Sequence, residues 1–270
     1  MNDILRKGEW VMVKRAIITI LVAMCICSSS YGGWVFWENG TGNNQWTDSV
    51  NWSAYPTAAD DTVVQLDKAN EAILNIGDIG LANWMHVSSD MPGGSQLTLN
   101  GGTVNCNDHL IVGENWGSTH EGTILMNDGT INTTLLLIGG AGDGGNGKGN
   151  LIMNDGVVNV SWMLTIAGGY NGITGGGVGL VELDGGTLNA TGGGGLVMSN
   201  NGSLDITDGA LVLAGNITDV TTFGNVTAFD GVGSFVYNFD GANTTITAIP
   251  EPVSLLLVGF GVLFVRNRKR

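Results

Sequence analysis

Gly102, Gly129, Gly156, Gly186 and Gly209 sit in matching surroundings at intervals of 27, 27, 30 and 23 residues. Recurrence at that length means one supersecondary unit copied along the chain, each copy burying its apolar face against the next. Three residues before the glycines stand Leu99, Met126, Met153, Leu183 and Ile206, and five before stand Leu97, Ile124, Leu151, Val181 and Leu204. Two after stand Val104, Ile131, Val158, Leu188 and Leu211. Apolar residues two apart on each side of a polar–Gly corner describe short strands with one face inward. The corner needs a residue at positive φ, which Gly takes freely and Asn or Asp tolerate. A further apolar pair follows in four copies: Leu110/Val112, Leu136/Ile138, Leu164/Ile166 and Leu196/Met198.

Three strand segments per copy predict an all-β chain, a single-stranded parallel β-helix of about 27-residue coils. Its length would be about 30–45 Å at roughly 4.8 Å per coil. Asn105, Asn132, Asn159 and Asn189 share one position, broken by Val212 in the last copy, and predict a ladder of side-chain amides along the axis. Asn-Asp-Gly between alternating runs is also a hairpin signal. A meander of hairpins would repeat every 8–12 residues, however, and the interval here is far longer. Residues 92–215 are the repeat body. Residues 31–91 do not match it and contain Trp34, Trp37, Trp46, Trp52 and Trp84, as an N-terminal cap with the first coils would. Residues 216–249 read as degenerate final coils shielding the other end.

Both termini carry segments of another kind. Lys14 and Arg15 precede an apolar run, Ala16 to Ile26, and then Ser28-Ser29-Ser30. These are the parts of a secretory signal peptide, so 1–30 is expected to be a signal helix removed on export, with Met12 a better start than Met1. At the other end, Pro250-Glu251-Pro252 leads into the short apolar helix expected over Val253 to Val265, then Arg266, Arg268, Lys269 and Arg270. That run falls short of the roughly 20 residues of a comfortable membrane span. The basic cluster would hold the end on the cytoplasmic side. Tripeptide, short apolar segment and terminal basic cluster, in that order, resemble the PEP-CTERM sorting signal of bacterial surface proteins. The resemblance implies that 250–270 holds an exported precursor in the membrane until an exosortase processes it near the tripeptide. The stretch Trp46 to Trp52, followed by Pro56 and Asp60-Asp61-Thr62-Val63-Val64, is similar to the opening segment of autotransporter-like and PEP-CTERM β-helix proteins.

Charge then limits partners. Between the two terminal segments Lys68 and Lys148 face 21 acidic residues, for a net charge near −19 with no arginine. Nucleic acid and anionic headgroups fit such a surface poorly, since phosphate binding rests on Lys and Arg. Neutral glycans, divalent cations and basic partners remain. Cys106 is the one cysteine between the terminal segments, so stability must come from packing and ladders rather than from a disulfide.

No catalytic constellation emerges, and an enzyme is not expected. Lyases of the β-helix fold use Arg or Lys beside a uronate, as that family resemblance implies, and the two lysines here fall in a cap and a Gly-rich loop. Glycosidases need two carboxylates about 5–9.5 Å apart, and Asp60-Asp61 is the only adjacent pair in the body. His86, His109 and His120 lack metal-ligand spacing. The stretch Gly139 to Gly147 resembles half of a calcium-binding RTX nonapeptide, but its Asp143 is one place early and the motif occurs once. No cofactor is expected; weak calcium binding could use the corner acids Asp128, Asp155 and Asp208. Tryptophans could fill a cap or offer indole faces to sugar rings, and Trp116 and Trp162 stand outside the cap. The expectation is an exported, transiently membrane-held protein of the cell envelope, surface or extracellular matrix. It would be structural or adhesive, with exosortase and the secretion machinery as partners and extracellular polysaccharide as a further one. The alternative is a β-helix glycosidase or lyase acting on polysaccharide.

Overall fold

A computed structural model describes residues 33–56, 63–66, 71–88, 94–114, 121–140, 147–169 and 177–251. The signal helix and the C-terminal apolar helix expected from the sequence lie outside them. The described chain is an all-β solenoid of about four turns with coils of about 27 residues. Its early strands are β1 (Trp34–Phe36), β2 (Val63–Leu66), β3 (Glu71–Asn75) and β4 (Ile79–Val87). The long strands β5 (Ser95–Val112) and β6 (Glu121–Ile138) each run through nearly a whole coil. Then come β7 (Lys148–Met153), β8 (Val157–Ile166), β9 (Val178–Leu183), β10 (Thr187–Ala190), β11 (Gly195–Met198), β12 (Gly202–Ile206) and β13 (Ala210–Ala214). The series closes with β14 (Asn225–Ala228), β15 (Gly233–Phe239) and β16 (Asn243–Pro250).

Pairing between coils is parallel and generates three faces. On the first, β3, the starts of β5 and β6, then β7, β9, β12 and β14 stack in turn. The second takes β4, β5, β6, β8, β10 and β13. The third takes β1, β2, the ends of β4, β5, β6 and β8, and β11. The repeat positions read from the sequence fall into register: Leu97, Ile124, Leu151, Val181 and Leu204 are successive partners on the first face, and the structure adds Val226 after them. All but Val226 are wholly buried, in one continuous core with the inward residues of the other faces. Because strand side chains alternate, the residues between them face out. On the third face these form a second apolar cluster, Ile111, Leu135, Leu137 and Met163, on the side away from the core.

No hairpin forms at Gly129 or Gly156; each is a corner at positive φ, +112° and +93°. A side chain at Gly129 would place its Cβ 2.3 Å from the Gly102 carbonyl oxygen of the coil below. The corner differs from expectation in two copies. In the first, Gly101 rather than Gly102 takes the positive φ, and Gly209 in the last does not adopt it. The amide ladder forms as expected: Asn132 Nδ2 donates to Asn105 Oδ1 at 2.8 Å, Asn159 to Asn132 at 2.9 Å and Asn189 to Asn159 at 2.8 Å. It ends where Asn189 meets Val212 in register. A second ladder, not anticipated, runs along the corner: Asn127 donates to Asn100 and Asn154 to Asn127, each at 2.8 Å. Those asparagines read as turn residues in the sequence, yet their 27-residue spacing carried the signal.

Each end is closed differently. At the N-terminal end Trp37, Trp46 and Trp52 are buried edge to face, with centroids 4.8 and 4.5 Å apart, and Trp52 Nε1 donates to the Trp46 carbonyl at 2.8 Å. Asn51 is wholly buried beneath them; its amide donates to Asn43 Oδ1 and the Gln45 carbonyl and accepts from the Thr41 N–H and hydroxyl. At the other end, residues 216–249 continue the solenoid only through β14, after a short 3-10 turn at Val220–Phe223. The chain then reverses: β15 and β16 form an antiparallel hairpin, and β16 lies antiparallel on β13. This corrects the reading of 216–249 as degenerate coils. An antiparallel strand satisfies the last ladder of β13 and stops the parallel stacking, with Ile246 buried over the core's end.

Candidate functional site

The corner between the second and third faces holds a groove of about 410 Å³ lined by Asn105, Cys106, Asn107, Asn132, Thr133, Thr134, Asn159 and Ser161. Its origin is local and countable. In the coil of β5, two residues, Asn107 and Asp108, separate the paired positions Cys106 and His109. In β6 a single residue, Thr134, separates Thr133 from Leu135, and in β8 two again, Ser161 and Trp162, separate Val160 from Met163. The middle coil is one residue short and cannot bulge as far as its neighbours. Thr134 therefore forms a floor between two raised corners. The sequence contained this: Val104 to Leu110 is six residues, Ile131 to Leu136 five, and Val158 to Leu164 six.

Among the described residues the lining is amide, hydroxyl and the Cys106 side chain, with no carboxylate or ammonium. Thr134 Oγ1 donates to the Asn107 carbonyl at 2.8 Å, and Thr133 Oγ1 donates to the Leu135 carbonyl at 3.0 Å. Cys106 is almost wholly buried behind this surface, its thiol against the carbonyls of Asn83 and His109. Burial pushes that thiol up to about 12, well outweighing the hydrogen bonds that favour the thiolate. Trp162, next in the chain to Ser161, is 44% exposed.

A second cluster lies on the outer side of the third face nearer the N-terminus. His86 is buried and pairs through Nδ1 with Glu114 Oε2, also buried, while His86 Nε2 has no hydrogen-bond partner. His109 lies 4.7 Å from Trp84 between ring centroids, with Nδ1 3.0 Å from Asp108 Oδ1; Trp84 Nε1 donates to Asp108 Oδ2 at 3.0 Å. Burial lowers the His109 pKa, and the Asp108 carboxylate opposes that only in part, so the ring is neutral at pH 7. No sequence spacing announced the His86–Glu114 pair, because its members meet only when successive coils stack. Both side chains are buried, and the contact joins residues 28 apart in sequence.

The other sequence-marked residues are dispersed. Asp128 and Asp155 are exposed at successive corners, and the Oδ1 of each accepts the N–H of the following glycine, at 2.6 and 2.7 Å. Asp208 stands at the corner two coils beyond Asp155, beside Gly209, with Gly185 at the intervening corner. Among the described residues no three His, Cys, Asp or Glu side chains come together as a metal site. Lys148 opens β7, and Gly139, Gly140 and Gly147 bracket the Gly-rich loop. Of the tryptophans, Trp37, Trp46 and Trp52 pack the cap, whereas Trp34 and Trp162 are exposed. Pro250 ends β16 and Glu251 follows it, both exposed. Pro252, Arg266, Arg268, Lys269 and Arg270 lie outside the described residues, as do Asp60, Asp61, Lys68, Trp116, His120 and Asp143. Among the described residues no helix is long and apolar enough to cross a membrane. No protein-family model matches the chain, and neither does any curated protein or solved structure.

Proposed function

We propose that the chain is an exported bacterial surface protein whose β-solenoid serves a structural or adhesive role. In this reading 1–30 directs export and 250–270 is a PEP-CTERM signal, with Pro250-Glu251-Pro252 near the cut made by an exosortase. Arg266, Arg268, Lys269 and Arg270 hold the precursor's end at the membrane until then, and the processed body stays at the envelope or in extracellular polymer. One observation supports it above the rest. β16 ends at Pro250 with Ile249, Pro250 and Glu251 exposed, so the tripeptide begins at the last residue of that strand, where a processing enzyme has access. A groove without acidic side chains favours holding a glycan over cleaving one.

Deletion of 250–270 in a host that carries an exosortase tests the sorting role. The deleted protein should appear in the medium, and the wild-type product should be shorter than its precursor at the C-terminus by mass spectrometry. Identical localisation of the two forms, with no C-terminal processing of the wild type, would remove the proposal.

A further inference from the structure

We infer that the groove floored by Thr134 is a binding site for an extended, neutral polysaccharide chain. The groove is open rather than enclosing, so it suits a segment of polymer passing through it better than a small molecule that must be buried to bind. Its walls carry the groups that pair with sugar hydroxyls. Asn132 spends one N–H on Asn105 and accepts one bond from Asn159. A primary amide has two N–H groups and two acceptor positions, so half its capacity remains. The Thr134 and Ser161 hydroxyls, which donate to the Asn107 carbonyl and to Thr134 Oγ1, add acceptor positions on the floor and rim, and the exposed Asn107 amide adds donors and acceptors.

The coils repeat these groups at roughly 4.8 Å along the axis. Asn105, Asn132 and Asn159 of three successive coils thus set three amides side by side in the groove. Exposed Trp162, next in the chain to the lining residue Ser161, supplies an apolar face of the kind that stacks on the C–H side of a pyranose ring. Charge selects the class. Among the described residues no cation lines the groove, and the chain is strongly acidic, so a uronate or sulfated chain would meet repulsion without a counter-charge. The inference deepens the adhesive half of the proposed function and is independent of how the chain is sorted.

The full chain, purified in mild detergent, is run in native gels containing hydroxyethylcellulose, galactomannan or polygalacturonate. Thr134→Trp fills the groove and Trp162→Ala removes the indole; circular dichroism and the melting temperature confirm the fold of each, and Ser161→Trp replaces Thr134→Trp if that variant unfolds. At least one neutral polymer should retard the wild type; each substitution should weaken that binding, Trp162→Ala by about two- to tenfold, the worth of an aromatic contact. Polygalacturonate should not retard it. Absence of retardation by both neutral polymers, retardation unchanged in the folded variants, or equal retardation by polygalacturonate overturns the inference. Binding that survives while the 250–270 deletion shows no change in localisation would remove the sorting proposal and leave this one standing.

Discussion

Cys106 shows how the solenoid treats a reactive group as a core atom. Its thiol fills an inward position between Ala82 and Thr133 in the stacked register, and burial raises its pKa to about 12. At pH 8 the thiolate, which is the nucleophile, is therefore nearly absent. With Cys25 and Cys27 replaced by Ser, native protein should not react with a thiol-specific disulfide reagent over hours at pH 8, and should react at once in denaturant; rapid native labelling would contradict the burial. Glu182 is the opposite case, an ionisable group held in an uncomfortable place. Partial burial raises its pKa above the ordinary 4.5, and Asp184, Asp205 and Asp230 raise it further. Asp205 is its direct cross-strand partner. With the folded value above the unfolded one, this group's contribution is fully present below pH 4.5 and is lost as pH rises through the folded value. Glu182→Gln should thus stabilise the protein at pH 7, by about 0.2–1 kcal/mol for relief of a like-charge pair. It should also flatten the fall in urea midpoint between mildly acidic and neutral pH. An unchanged pH profile in the variant would show that the neighbouring acids do not act on this carboxyl.

At the scale of the element, the Asn ladder tests whether coils are joined by side chains as well as by backbone. Asn132 makes two ladder bonds and Asn189, at the end, makes one. Asn132→Ala should cost about 1–3 kcal/mol in urea unfolding, at about 0.5–1.5 kcal/mol for each bond lost. Asn189→Ala should cost about half as much by the same measure. Equal effects at the two sites would mean that the ladder follows from coil stacking and does not strengthen it. The same element-scale bookkeeping explains the groove: one residue fewer at the corner of β6 retracts Thr134 between its neighbours.

For the whole molecule, charge is the dominant unbalanced quantity. The full chain carries −14, and its cations concentrate in the terminal segments, leaving the solenoid far more negative. Self-repulsion of that size is relieved by added salt, since the Debye length falls from about 30 Å at 0.01 M to about 10 Å at 0.1 M. The melting temperature should therefore rise with sodium chloride over that range. Calcium chloride at matched ionic strength should add nothing further if the effect is screening alone. A larger effect of calcium that disappears in the Asp128→Asn, Asp155→Asn double variant would instead assign a cation to the corners.

Period and strand phase were fixed by local pattern. An apolar residue two places from another, beside a glycine corner and repeated at 27 residues, can bury its side chains only by stacking coil on coil, and Leu97, Ile124 and Leu151 do so in the expected register. The Asn105 to Asn189 ladder followed from the same phase. Closure of the C-terminal end did not follow. Phe235, Tyr237 and Ile246 alternate like any strand residues, and nothing local distinguishes a further parallel coil from an antiparallel hairpin laid on β13. The groove and the His86–Glu114 pair were likewise beyond local pattern. Both arise between coils, where residues about 27 apart are brought side by side, and a one-residue difference in corner length or the meeting of two buried polar groups has no signature within a single strand. Periodicity determines what stacks; only the stacked structure decides what then lies open at the surface.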